Sequence, residues 1–176
     1  MTARRIAGHV ALAGGGLVAA VTLLGVSGLE PLKLNTTASL PKGLYVRSFE
    51  TPRVGSIVWF PLPAALQVYV AGIPGAAQWF AQPANGLLKP VVGGAGDTIC
   101  RGADRTFSVN GRALGQVPAA GPGGRPLPAW QGCRKLQEGE LAVFAPLLPD
   151  SLDSRLYGPV AAVTARVYRP LWTAAP

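Results

Sequence analysis

The residues most able to do chemistry in this sequence are serines and one lysine in an apolar run, because the chain has a single histidine. That histidine, His9, lies in an uncharged segment near the N-terminus. The remainder of the chain therefore cannot build a Ser-His-Asp triad, a Cys-His dyad or a histidine-based metal site. We expect no metal and no organic cofactor, and a serine nucleophile here would need a base of another type.

Lys89 is the strongest candidate for that base. It lies in the apolar run 86–92 (G-L-L-K-P-V-V), whereas the other lysines, Lys33, Lys42 and Lys135, lie in polar or turn-rich stretches. Burial lowers the pKa of a lysine because it disfavours the charged form, so a buried Lys89 could accept a proton near pH 7. The alternative is an edge strand from which Lys89 points to water.

The elements that must position such residues are predicted to be short strands. The composition is 49% apolar with 23 Gly and 17 Pro, which favours a mainly β domain with many turns over a helical one. Asn110–Gly111 is a strong hairpin signal. Strand-like runs lie at 44–49, 56–60, 86–92, 106–109, 113–114, 140–144 and from 160 to 172.

The segment 61–85 differs from the rest, since it is apolar, aromatic and interrupted by Pro. Its pieces 64–70 and 76–81 are compatible with helix. We expect either an inserted cap that rests on the membrane or covers a peptide groove, or a helical addition to the core.

A transmembrane anchor is predicted at 6–29, where 24 residues contain no Asp, Glu, Lys or Arg. Arg4 and Arg5 precede it, so residues 1–5 should be cytoplasmic and residues 30–176 should form a domain on the outer side of the membrane. The run is longer than the apolar region of most cleavable signal peptides, although the small residues at 25–28 could mimic a cleavage site.

Two cysteines, Cys100 and Cys133, flank a Gly/Pro-rich loop at 119–128. In an exported domain two lone cysteines predict one disulfide, and the alternative is two buried thiols. The formal charge of +8 is spread as mostly single Lys and Arg residues without a recognition motif, so we expect no nucleic-acid partner. The charge then indicates either an ordinary solvated surface or attraction to the anionic lipid headgroups of the membrane.

Four segments in order carry a family resemblance: T-A-S-L-P, G-S-I-V-W-F, K-P-V-V-G-G-A-G-D and S-L-D-S-R-L-Y-G-P-V. Each is weak alone, but their succession behind an anchor resembles the conserved boxes of type I signal peptidases, from Thr37 to about Trp172. The resemblance implies a signal-peptidase-like β domain behind one N-terminal transmembrane helix, and a serine peptidase with a Ser-Lys dyad.

The resemblance also implies residue roles. Ser39 would be the nucleophile and Lys89 the general base, while the Ser39 backbone N–H and the Thr37 hydroxyl would form the oxyanion hole. Without that context, Ser39 would be a turn residue before Leu40–Pro41. Ser151 matches a hydroxyl that orients the lysine, Asp153 and Arg155 match a bracing acid–base pair, and Asp97 should tighten the turn after the lysine strand.

The stretch N-T-T-A-S-L-P-K-G-L-Y is most similar to the TraF-type conjugative-transfer branch of these peptidases, and the G-D-N-R of the housekeeping enzymes is absent. The branch implies cleavage of a propilin through an acyl-enzyme, with hydrolysis or cyclisation of the pilin, and contact with conjugation apparatus proteins. One rival is a general signal peptidase acting on many exported precursors. Another is a non-catalytic pilus or secretion assembly protein.

Overall fold

A computed structural model of the chain describes residues 30–75, 86–121, 124–128 and 130–174. The chain divides after Lys33, and the second unit, Leu34–Pro176, contains the site described below. The described part is mainly β, as predicted. The predicted anchor at 6–29 lies outside the described residues, and no helix within them is long and apolar enough to cross a bilayer.

Eleven strands, two α-helices and a 3-10 turn at Ala162–Thr164 make up the secondary structure of the described residues. The helices are α1 (Ala64–Ala71) and α2 (Ser154–Tyr157). The strands are β1 (Leu32–Asn35), β2 (Gly43–Arg47), β3 (Ile57–Pro61), β4 (Gly86–Gly93), β5 (Thr98–Arg101), β6 (Thr106–Val109), β7 (Arg112–Gln116), β8 (Gly132–Lys135), β9 (Glu140–Val143), β10 (Val160–Ala161) and β11 (Arg166–Thr173).

The larger of two sheets in the described residues has the order β1-β2-β11-β3-β4-β9-β10, and the smaller has the order β7-β6-β5-β8. Strand β4, which carries Lys89, therefore has a neighbour on each side. Burial alternates along it, so that Leu87, Lys89 and Val91 are buried on one face, and Lys89 lies opposite Val58 of β3. The edge-strand alternative for Lys89 is wrong, because β4 is an inner strand of the sheet and Lys89 is 5% exposed.

Helix α1 belongs to the main hydrophobic core. Its residues Leu66, Tyr69 and Val70 are buried in the same cluster as Val58 and Val143 of the large sheet. Among the described residues of the segment 61–85, this helix thus contributes to the core. The cap over a peptide groove or on the membrane stays a prediction. The piece predicted at 76–81 lies outside the described residues.

The hairpin predicted at Asn110–Gly111 joins β6 to β7. Both turn residues have positive φ, 50° and 78°, which is the conformation that the tightest two-residue hairpins require. Asp97 stabilises the preceding turn as predicted, since its carboxylate accepts hydrogen bonds from the Gly94 N–H and the Asn110 side-chain amide, both at 2.8 Å. These two bonds hold the pKa of Asp97 below its usual value.

The predicted disulfide is confirmed. Cys100 on β5 and Cys133 on β8 are direct partners across the antiparallel pair, with their Cα atoms 4.1 Å apart, and their sulfurs are bonded. Strand β8 was not predicted, because all four of its residues are exposed and show no alternation of polar and apolar types. The bridge ties this exposed strand to the small sheet.

Loss of the disulfide should destabilise the domain by about 3–4 kcal/mol, because the reduced unfolded chain regains the freedom of the closed loop. The Cys100→Ser, Cys133→Ser double variant should show this loss in urea unfolding. Dithiothreitol should destabilise the parent chain by a similar amount and leave the double variant unchanged. A parent chain insensitive to the reductant would contradict the prediction.

Candidate active site

Ser39 lies in the turn between β1 and β2, and its side chain is buried, with the residue 2% exposed. Its hydroxyl is 3.0 Å from the Thr37 hydroxyl. The structure thus brings together two of the predicted site residues. Thr37 as a whole is exposed, but its hydroxyl lies between the Ser39 hydroxyl and the Asn35 side chain.

Asn35, at the end of β1, holds this turn, and sequence reasoning missed it. Its amide nitrogen donates to the backbone oxygens of Thr37, Leu40 and Pro41 at 3.0–3.1 Å. Its amide oxygen accepts from the N–H and the hydroxyl of Thr37 at 3.3 and 2.9 Å. An Asn side chain that binds the N–H two residues later forms an Asx turn. This local pattern could have revealed the role of Asn35 from the sequence.

Lys89 is 5% exposed, and burial lowers its pKa from 10.5 to about 8. Two charges modify this effect: the Asp153 carboxylate raises the pKa of Lys89, and the Arg155 guanidinium lowers it. With a pKa of about 8, roughly a tenth of the amines are neutral at pH 7 and half at pH 8. This property suits a general base.

Asp153 and Arg155 form a buried ion pair beside β9, as the resemblance implied. The Arg155 Nε and Nη2 atoms donate to the two carboxylate oxygens of Asp153 at 2.8 and 2.9 Å, and the two side chains are 0% and 3% exposed. Asp153 also caps the N-terminus of α2 by accepting from the Arg155 N–H, and it accepts from the Ala145 N–H. The carboxylate is therefore fixed by four donors.

Arg155 also ties α2 to the small sheet and to the loop before α2. Its Nη1 donates to the backbone oxygen of Gln116 on β7 at 2.9 Å and to that of Pro149 at 2.7 Å. Its guanidinium carbon lies 4.9 Å from the centre of the Phe144 ring. Because Gln116 and Pro149 are far apart in sequence, Arg155 joins distant segments of the chain.

Two further serines lie near this pair. Ser151, predicted to orient the lysine, is 2% exposed, and its hydroxyl makes no hydrogen bond to another described residue. Ser154, which sequence reasoning missed, accepts from the Val143 N–H at 2.8 Å and so ties α2 to β9, the neighbour of β4. No local signal distinguishes Ser154, since its partner is set by the fold.

The predicted site residues thus form two groups. Thr37 is hydrogen bonded to Ser39, and Lys89 is electrostatically coupled to Asp153 and Arg155. Between the described residues, no hydrogen bond joins Ser39 to Lys89. The same residues contain no cluster of three or more His, Cys, Asp or Glu that could hold a metal ion.

Comparison with known proteins places this arrangement in a family. The family model of the signal peptidases, peptidase S26, matches residues 7–172, which include both groups. The chain belongs to the signal peptidase family S26. This S26 member is also similar to two Escherichia coli proteins, each named plasmid transfer protein TraF. One is 32% identical over 97% of both chains, and the other is 33% identical over 89% of both chains.

These relatives confirm the resemblance to TraF-type signal-peptidase-like proteins that the residue motifs predicted. Membership of the S26 family supports a serine peptidase of the signal-peptidase type, and a peptidase of this type acts on a precursor protein.

Proposed function

We propose that this S26 member is a membrane-anchored serine endopeptidase in which Lys89 activates Ser39 to cleave a pilin precursor during conjugative transfer. The observation that carries the proposal is the state of Lys89, a buried amine inside the sheet whose pKa is about 8. The only histidine of the chain, His9, lies in the segment predicted as the anchor. Lys89 is therefore the base available to a serine nucleophile in the exported domain.

In the first half of the proposed reaction, the Ser39 oxygen bonds to the carbonyl carbon of the scissile peptide. Its proton passes to the neutral Lys89 amine, and the carbonyl oxygen becomes an oxyanion. The resulting Lys89 ammonium then protonates the leaving amine as the carbon–nitrogen bond breaks. The product is an ester of Ser39 with one half of the precursor.

In the second half, a water molecule or the pilin's own amino terminus attacks the ester carbon and gives a proton to Lys89. The bond to Ser39 breaks, and Lys89 returns the proton to the serine oxygen. Water yields a linear pilin, whereas the amino terminus yields a cyclic one. We propose the Ser39 N–H and the Thr37 hydroxyl as donors to the oxyanion, and Ser151 as a hydroxyl that orients Lys89.

We propose further that residues 6–29 anchor the chain in the inner membrane with the peptidase domain in the periplasm, near the conjugation apparatus. The absence of charge from 6–29 and the two arginines before it support the anchor. The Cys100–Cys133 disulfide supports export, because such bonds persist in oxidising compartments. The net charge of +8 suits a surface close to anionic lipid.

The test is incubation of the full chain, in detergent or lipid, with a candidate propilin, followed by mass spectrometry of the intact product. A shortened linear product indicates hydrolysis, and a product lighter by one further water indicates cyclisation. Ser39→Ala should be inactive, and Ser48→Ala serves as the matched control in the neighbouring strand connection. An unchanged propilin, or full cleavage by Ser39→Ala, would contradict the proposal, and processing of unrelated secretory precursors would favour a general signal peptidase.

The pH dependence should report Lys89. We expect kcat/KM to rise with pH and to level off above an apparent pKa of about 8, because only the neutral amine accepts a proton. Asp153→Asn should move this rising limb to lower pH, since the Asp153 carboxylate raises the pKa of Lys89. Asp97→Asn, which changes a carboxylate in the turn after β4, is the control and should leave the limb in place. A limb that moves to higher pH in Asp153→Asn would contradict the prediction.

A further inference from the structure

We propose that Asn35 is a positioning residue that sets the direction of the Thr37 hydroxyl and, through it, of the Ser39 hydroxyl. This inference rests on the proposed role of Ser39. It comes from the hydrogen bonds of the β1–β2 turn, in which each donor can be assigned from the chemistry of its partner.

The orientation of the Asn35 side-chain amide is determined by its surroundings. One end of the amide lies 3.0–3.1 Å from three backbone carbonyl oxygens, those of Thr37, Leu40 and Pro41. Carbonyl oxygens only accept hydrogen bonds, so this end must be the NH2 group. The opposite end, which meets the Thr37 N–H, must be the oxygen. Asn35 is 8% exposed, and water does not compete freely for these bonds.

The orientation of the Asn35 amide determines which of the Thr37 and Ser39 hydroxyls donates the hydrogen bond between them. The Asn35 oxygen can only accept, so the Thr37 hydroxyl at 2.9 Å donates its single proton to it. Thr37 then has only lone pairs to offer to Ser39, whose oxygen is 3.0 Å away. Ser39 must therefore be the donor, and a directed chain runs from Ser39 to Thr37 to Asn35.

This chain has a consequence for the proposed reaction. In the resting state the Ser39 proton points to Thr37, so the hydroxyl has to rotate before its proton can pass to Lys89. The Thr37 hydroxyl must leave the Asn35 oxygen before it can donate to an oxyanion. Asn35 keeps the Thr37 N–H at 3.3 Å during that change, which holds the backbone of the turn. Asn35 thus acts on catalysis through Thr37.

A double-mutant cycle of Asn35→Ala and Thr37→Val tests this coupling by steady-state cleavage of the propilin. We expect Asn35→Ala to lower kcat about 10–100-fold with little change in KM, because misplacing a reacting group costs rate and not binding. In the Thr37→Val background the same change should lower kcat at least about 3-fold less than in the wild type, since the shared hydroxyl is already gone and only the bonds of Asn35 to the turn backbone are lost. Thr36→Val, one residue away on the exposed side of the turn, is the matched control.

Asn35→Asp is the conservative variant, because it keeps an oxygen acceptor for Thr37 and loses the donors to the three carbonyls. The melting temperature of Asn35→Asp should fall below that of Asn35→Ala, because its second carboxylate oxygen faces the three carbonyl oxygens. Its folded molecules should nevertheless retain more activity than those of Asn35→Ala. The inference would be overturned if the effects of Asn35→Ala and Thr37→Val on kcat were additive. It would also be overturned if Asn35→Asp were no more active than Asn35→Ala. In either case, cleavage by the wild-type chain would leave the proposed function intact.

A measurement without turnover tests the hydrogen bonds themselves. By nuclear magnetic resonance, the side-chain amide protons of Asn35 should exchange with solvent at least about 10-fold more slowly than those of Asn110, whose amide lies at the exposed hairpin. The protection should persist in Thr37→Val. Exchange of Asn35 as fast as that of Asn110 would overturn the inference whether or not the chain cleaves a propilin.

Discussion

Lys89→Met should abolish precursor cleavage and at the same time make the folded domain more stable. Activity should fall at least about 1,000-fold, because Ser39 loses the base that accepts its proton and residual catalysis comes only from binding and the oxyanion hole. Stability should rise because methionine fills a similar volume on β4 without a charge. Because the two effects have opposite signs, simple unfolding of the variant cannot produce both.

The size of the stability effect follows from the pKa of Lys89. Its folded value of about 8 lies below the ordinary 10.5, which means that burial of the protonated amine costs about 3 kcal/mol at pH 7. The unfolded chain binds more protons between these two values, so the stability of the parent chain should rise as pH increases from about 8 to 10.5. The variant should lack this rise and should be more stable by about 1–3 kcal/mol at pH 7.

Urea unfolding at pH 7 and pH 9.5, beside the mass-spectrometric cleavage assay, measures both effects. Lys135→Met is the matched control, because Lys135 is exposed on β8 and should change neither activity nor the pH dependence of stability. Cleavage by Lys89→Met within about 10-fold of the parent chain would contradict the role of the amine as base. A large loss of stability in Lys89→Met at pH 7 would contradict the account that burial of the protonated Lys89 amine destabilises the parent chain.

Arg155→Met should destabilise the domain by about 3–5 kcal/mol, the second large effect that we expect. The substitution leaves the Asp153 carboxylate, which is 0% exposed, without its cation, and it removes the bonds to the Gln116 and Pro149 oxygens. An unpaired buried charge costs far more than the pair contributes, so the loss should be much larger than for a surface arginine. Cleavage should fall with the folded fraction.

Arg169→Met provides the matched control, because Arg169 pairs with Glu50 at an exposed site, with side chains 61% and 43% exposed. Loss of such a pair should cost less than about 1 kcal/mol. Adding Asp153→Asn to Arg155→Met should restore part of the stability, since it removes the unpaired charge. Equal losses for the two arginines, or no recovery in the double variant, would contradict this account of the buried pair.

Much of the fold around the candidate site could be predicted because turns and strands have local signals in the sequence. The hairpin at Asn110–Gly111 depends on two residues that tolerate positive φ. The turn at Asp97 depends on a carboxylate that accepts a hydrogen bond from the backbone N–H three residues earlier. The strand around Lys89 is visible as an apolar run with turn residues after it. The spacing of Thr37, Ser39, Lys89, Asp153 and Arg155 follows the family motifs, and the comparisons confirm the family.

Other features could not be predicted, since their partners lie far away in the sequence. Strand β8 has no apolar pattern of its own and exists through pairing with β5 and the bond to Cys100. The residues next to Ser154 in the sequence give no signal of its role. Its bond to the Val143 N–H depends on the tertiary contact between α2 and β9. Asn35 was visible as an Asx-turn signal, but its bonds to the Leu40 and Pro41 oxygens depend on the path of the whole turn.

By itself, the amino-acid sequence determined a β-rich chain of the signal peptidase family with one lysine in an apolar strand and one pair of cysteines suited to a disulfide. Only the tertiary structure decided that β4 lies between β3 and β9, which is why Lys89 is buried and its pKa falls to about 8. The physical reason is that turn and strand preferences act over a few neighbouring residues, whereas desolvation depends on every segment packed around a group.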